Sequence, residues 1–307
     1  MKKNNIKFYL SKWIDLNREF IEQIKRNYHY KKKTKTKFDD GLIKELQSKY
    51  SPVFVLSTGR CGTEYLTKIF ALNEQIDVFH SPHPELLLVS KFAYENYNSQ
   101  QEVTKHIFES ARIELMLESY LRSKIFVETN NKITFFAYAI NELYPKSKFI
   151  HLVRHPGDFV RSGIRRKWYN KSTLHDLGRI TPSDDKIEFS KFNDIQKISW
   201  LWNETNLFIE EFKEKLNDSA RCLTIKAEDL FGNISIIDSI FEFVGAEKMA
   251  GRKFYSTINE KVNVQENVAF PKYIDWGEEK KGFLKEICTL ADKYNYRLLR
   301  DEKINNQ

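Results

Sequence analysis

Residues Pro52-Val53-Phe54-Val55-Leu56 run straight into Ser57-Thr58-Gly59-Arg60-Cys61-Gly62-Thr63, after which Tyr65, Leu66, Ile69, Phe70 and Leu72 follow at helical spacing. A short apolar run of β-branched and aromatic residues marks a strand buried on both faces, and the change of rhythm beyond it marks a helix. Gly59 and Gly62 let the intervening backbone curl and approach an anion closely. The helix start presents free N–H groups and a partial positive charge. Arg60 adds a cation and Thr63 a hydroxyl, which together make a cradle for a phosphate-type group. The loop is not a Walker A loop, because Thr63 and Glu64 stand where that motif needs Lys and Ser or Thr after its glycine.

The same unit recurs along the chain. Ile76–His80, Lys124–Glu128, Ser147–Val153 and Arg221–Lys226 read as further strands. Helical stretches run from Pro84 towards Tyr97, over 101–122 and 133–143, from Pro156 onward, and over 192–216. Strands alternating with helices imply right-handed crossovers and a parallel sheet covered on both faces. The expected fold class is therefore α/β, a three-layer α/β/α arrangement around a central, mainly parallel sheet. Residues 171–190 are polar and aperiodic and read as a long loop. Residues 1–50 read as an N-terminal helical extension, with Trp13, Leu16, Phe20 and Ile24 at helical spacing, and 51–307 as the main domain.

With 307 residues and 41% apolar composition, the chain can bury a substantial core, which excludes a disordered protein. Fifty Lys and Arg against 42 Asp and Glu give a net charge of +8. Its densest part, Lys31-Lys32-Lys33-Thr34-Lys35-Thr36-Lys37, reads as an exposed segment. Tyr28, Tyr30 and Phe38 flank that run without interleaving it, so nucleic-acid binding is not expected. Cys61, Cys222 and Cys288 form no C-x-x-C pair, which fits a reducing compartment. No stretch approaches the ~18 apolar residues of a membrane span. A soluble, cytoplasmic chain is the expectation.

The fourth strand ends in Arg154-His155-Pro156-Gly157-Asp158-Phe159-Val160-Arg161-Ser162. Pro156 suits the first position of a helix and Asp158 complements its dipole. Arg154 at the strand end and Ser162 on the helix can converge on one anion, with Arg161, Arg165 and Arg166 adding positive charge. The two segments together resemble the 3′-phosphoadenosine 5′-phosphosulfate (PAPS)-dependent sulfotransferases, of bacterial and Golgi-like type, over roughly residues 50–300. Arg60, Gly62 and Thr63 match the 5′-phosphosulfate loop [RK]-S-G-T-[TS]. Arg154, Pro156, Asp158 and Ser162 match the 3′-phosphate motif R-x-P-x-D-x-x-x-S. Trp200, Trp202 and Asn206, and Lys226-Ala227-Glu228-Asp229-Leu230, are weaker echoes.

The resemblance implies a P-loop NTPase-like sulfotransferase fold and transfer of a sulfuryl group from PAPS to a hydroxyl or amine of a carbohydrate, lipid or other small acceptor, leaving PAP, with no metal. It implies that Arg60, Cys61, Gly62, Thr63, Glu64, Tyr65, Arg154 and Ser162 hold the co-substrate, with Tyr65 near the adenine. A C-terminal basic loop falls on Thr257–Asn263 or on Lys280-Lys281-Gly282. Arg60 is also expected to act on the transferred group. Cys61 and Glu64 depart from the loop's hydroxyls, and Glu64 sets a carboxylate beside an anion. A general base must take the acceptor proton. The relatives' His after the third strand is absent, and Ser81 stands where some carry Glu. The candidates are His83, Glu85, His80 and Glu128, taken in that order. A nucleotide-dependent phosphotransferase and a non-catalytic nucleotide-binding protein are the alternative readings.

Overall fold

The computed structural model of the chain describes residues 40–170, 173–182, 188–259 and 270–298. The Lys31–Lys37 run, the Trp13–Ile24 face, and Lys261 and Asn263 of the C-terminal segment lie outside the described residues. The chain divides into two compact units, residues 1–45 and 46–307.

In chain order come α1 (Asp40–Lys49), β1 (Val53–Leu56), α2 (Thr63–Phe70), β2 (Ile76–Phe79), α3 (Leu87–Asn96), α4 (Gln101–Leu121) and β3 (Ile125–Glu128). There follow α5 (Ala137–Leu143), β4 (Lys148–Val153), α6 (Pro156–Arg165), α7 (Leu174–Leu177), α8 (Asp194–Glu214) and β5 (Cys222–Lys226). The last are α9 (Ala227–Leu230), α10 (Ile234–Val244), α11 (Arg252–Ile258) and α12 (Glu278–Ile287). The five strands form one parallel sheet in the order β2-β3-β1-β4-β5. All five expected strands are present, each within a residue of its expected bounds.

Side-chain alternation along β1 builds the layers. Val53 and Val55 join Leu66, Ile69 and Phe70 of α2 and Ile237, Ile240 and Phe241 of α10 in one core. Phe54 meets Phe108 of α4 at 5.7 Å, Phe126 of β3 at 5.8 Å and Phe149 of β4 at 6.3 Å. Apolar area lost from water on both faces is what holds the sheet in the middle layer.

Two elements differ from the sequence reading. The expected helix 133–143 opens as a 3-10 turn over Asn131–Phe136 and becomes α-helical only at Ala137. There Thr134 Oγ1 accepts from the Ser57 N–H at 3.0 Å and donates to the Ser57 carbonyl at 3.1 Å, so this turn closes the open end of β1. The 171–190 stretch is not all loop: α7 and a 3-10 turn at Phe189–Lys191 lie within it.

Candidate active site

β1 and β4 are neighbours, paired from Val53↔Lys148 to Leu56↔His151. The loops that leave their carboxyl ends therefore emerge side by side, at the point where the chain's crossovers diverge. Arg154 Nη1 donates to the Arg60 carbonyl at 2.8 Å, joining the two loops across 94 residues of sequence.

The first loop is shaped by its backbone. Gly59, Arg60 and Gly62 have φ of 79°, 58° and 92°. Gly62 caps α2 in the left-handed conformation, with ψ 16°. That leaves the first N–H groups of the helix turned to the loop without partners in the helix. Cys61 is wholly buried, its thiol donating to the Gly59 carbonyl at 3.1 Å, and burial pushes its pKa up to about 11. It is packing, not a reactive thiol.

A cavity of about 160 Å³ opens between Arg60, Gly62, Thr63, Glu64, Tyr65, Arg154 and Phe231. The Arg60 guanidinium is partly buried, and its Nε is buried without a hydrogen-bond partner. Burial and the neighbouring Arg154 charge pull its pKa down, while Glu64 opposes them. Arg166 is held down at about 10 by burial and by Arg60, Arg165, Arg154 and Arg179. These cations repel one another, and an anion among them would relieve that repulsion.

Tyr65 is 1% exposed; its hydroxyl donates to the Ile258 carbonyl at 2.8 Å and accepts from Gly232 N at 3.3 Å. The ring it supports, Phe231 at 4.9 Å, is 49% exposed and presents the aromatic surface. Phe231 follows the Lys226–Leu230 stretch directly, which is the signal that could have found it.

The Arg154–His155 backbone is fixed from two sides. Trp202 Nε1 donates to the Arg154 carbonyl at 2.8 Å, and the His155 N–H donates to Glu228 at 2.9 Å. Tyr296 donates to the other Glu228 oxygen at 2.7 Å. The weak sequence echoes at Trp202 and Glu228 are thus positioning groups. Ser162 Oγ accepts from Arg166 at 2.7 Å, whereas Arg161 turns to the carbonyls of Phe270 and Pro271. Lys280 lies over the Phe270 ring at 5.5 Å, and Lys281 is buried and paired with Glu278 at 3.5 Å. Neither lysine lines the cavity.

The base candidates separate by surroundings. Glu128 is sealed in the interior, both oxygens bonded by Arg112 at 2.7 and 2.9 Å, which removes it from contention. His83 and Glu85 are exposed on the loop after β2. Glu85 faces Lys132, whose burial lowers its pKa to about 8. His80 Nδ1 lies 2.9 Å from Thr129 Oγ1. The aromatics of the 189–202 stretch pack on one another and on Tyr169: Phe189 meets Trp200 at 5.4 Å and Tyr169 at 5.3 Å. Among the described residues, no group of three or more His, Cys, Asp or Glu comes together to hold a metal, and no helix is long and apolar enough to cross a membrane.

A family model described as "Sulfotransferase family" matches residues 52–245. None of the curated proteins matches the chain. Among solved structures, it is similar to a sulfotransferase domain from the curacin biosynthetic pathway, with 16% identity over 81% of this chain and 99% of that one and a TM-score of 0.45. A sulfotransferase domain from the Synechococcus PCC 7002 olefin synthase has 16% identity over 81% and 97%, with a TM-score of 0.46. A sulfotransferase from Alicyclobacillus acidocaldarius has 12% identity over 80% and 96%, with a TM-score of 0.49. The family match takes in more than half of the sequence, both anion loops included, and the chain belongs to the sulfotransferase family.

Proposed function

We propose that this chain moves a sulfuryl group from PAPS to a hydroxyl or amine of a carbohydrate, lipid or other small acceptor, with residues 51–307 as the transferase domain. The observation that carries the reading is the Arg154–Arg60 contact, which turns two distant loops into one cation-lined cavity. The donor fits what is present there. A buried guanidinium Nε lacks a partner, the cations around it depress one another, and an aromatic face stands at the side.

PAPS supplies the activated sulfuryl group. Arg60, Thr63 and the N–H groups of the α2 start hold the 5′ end and neutralise charge that develops on the leaving oxygen. Arg154 and Ser162 bind the 3′-phosphate, with Arg166 delivered to it through Ser162. Phe231 offers its face to the adenine. Glu64 lies within electrostatic reach of Arg60 and His80, so its charge is balanced by the site. The thiols of Cys61, Cys222 and Cys288 are unbridged, which supports a reducing, cytoplasmic setting.

Thermal unfolding with PAP, with AMP and with ATP and Mg²⁺ tests this. PAP at ~100 times its Kd stabilises by about 2.7 kcal/mol, a rise of roughly 4 °C for a chain of this size. The rise is expected with PAP and lost in Arg154→Ala. A rise with ATP alone would instead support a phosphotransferase.

A further inference from the structure

The loop that leaves β1 has two sides. Arg60 lines the cation-lined cavity. Ser57 and Thr58, just before it, line a separate recess of about 20 Å³, whose walls include Asn131, Lys132, Arg179 and Thr205. Gly59 separates the two, packed so closely that a Cβ there would stand 3.1 Å from Asn131 Cγ. The recess therefore adjoins the loop that holds the donor's 5′ end, and neither anion motif accounts for it.

Lys132 brings an uncommitted charge to this recess. It is half-buried, and burial of its ammonium, with Arg179 alongside, pulls its pKa down to about 8 against the opposite pull of Asp176 and Glu85. An ammonium carries three donors. Among the described residues this one makes a single hydrogen-bond contact, 3.5 Å to the Gly178 carbonyl. Arg179 is committed by comparison: its Nε donates to Asp176 at 2.7 Å and its guanidinium lies 4.0 Å from the Trp168 ring. Asn131 and Thr205 add an amide and a hydroxyl to the wall. A charge withdrawn from water without a partner is costly, so a ligand that brings a negative charge gains most here. Size narrows its kind. The recess has room for a water or for the oxygens of one carboxylate, and none for a sugar ring or a nucleotide.

We propose that this recess is a carboxylate subsite for the acceptor, with Lys132 as the specificity-determining residue, so that the chain prefers hydroxy acids to neutral alcohols; this rests on the sulfuryl-transfer reading above. The acid group sits on the Lys132 ammonium, and a hydroxyl of the same molecule reaches past Gly59 to the donor. A neutral acceptor leaves the ammonium without a partner.

The test is calorimetric titration of the full chain saturated with PAP, which keeps the cation-lined cavity filled. The probes are para-hydroxybenzoate, para-hydroxyphenylacetate and para-hydroxyphenylpropionate, each against its own amide. At least one acid is expected to bind roughly 10–100-fold more tightly than its amide, the worth of a charge-assisted bond. Lys132→Met is expected to erase that difference while amide affinity and PAP stabilisation stay as they were. With PAP still stabilising the chain, acids that bind no more tightly than their amides would overturn the inference, and so would a preference that survives Lys132→Met. Absence of PAP stabilisation in the unsubstituted chain would contradict the parent reading itself.

Discussion

Glu64 sits in a loop that otherwise gathers positive charge, and the charges around it decide its effect. It raises the pKa of both Arg60 and His80. Replacing it with Gln therefore lowers the His80 titration midpoint, which ¹H–¹⁵N spectra of the histidine rings measure. PAP affinity is expected to rise a few-fold, because one repelling charge is gone while the loop's cations remain. Phe231 is half exposed over Tyr65, so Phe231→Ala removes aromatic surface without opening the core. Losing a base-stacking face costs about 1–3 kcal/mol, so PAP binding by calorimetry is expected to weaken roughly 5–150-fold, with the unfolding temperature of the unliganded protein nearly unchanged. Gly62→Ala is different in kind. The added Cβ would stand 3.1 Å from Phe231 Cζ at a φ of +92°, and the left-handed backbone costs about 1–3 kcal/mol. Stability and PAP affinity should fall together. Arg60, Gly62, Thr63 and Arg154 were legible in the sequence because each is a fixed distance from a strand end. Phe231 carries no motif of its own, and only its place directly after the Lys226–Leu230 stretch points to it.

At the scale of elements, the site is the consequence of β1 and β4 lying side by side. The strands could be read because a strand buried on both faces is a continuous apolar run. The tight turn at Asn131–Phe136 could not. Its form goes with two hydrogen bonds between Thr134 and Ser57, a partner 77 residues away. The 171–190 stretch reads as loop in the sequence because α7 is a single turn, too short to show a period. Lys280 and Lys281 answered to a basic pattern, yet they belong to a helix packed on α8. Glu228 ties the end of β5 to the end of β4 through the His155 N–H and takes a bond from Tyr296. Glu228→Ala leaves both donors without their acceptor, a cost of about 1–3 kcal/mol each where buried. The variant is expected to unfold at lower denaturant and to bind PAP more weakly, although Glu228 does not line the cavity. Unaltered PAP affinity would mean that the Arg154 loop holds its shape without this tie.

For the whole molecule, the net charge of +8 reads as an ordinary basic surface. What matters is that Arg60, Arg154, Arg165 and Arg179, from three separate segments, all act on Arg166. Composition cannot carry that information. The same charge map sets the pH response. Burial holds both His80 and His155 below the ordinary 6.5. The unfolded chain therefore binds protons more readily than the folded one, so their contribution is present above about 6.5 and lost as pH falls through the depressed values. Thermal unfolding should show falling stability below about pH 6.5. On the proposed reading, two loops on adjacent strands form one site for a 3′,5′-bisphosphate, and calorimetric titration of PAP against AMP, in the unsubstituted chain and in Arg154→Ala, measures that site. PAP is expected to bind at least ~10-fold more tightly than AMP, the worth of charge-assisted bonds to one phosphate, and Arg154→Ala to erase the difference. Equal affinity for PAP and AMP in the unsubstituted chain would contradict that reading.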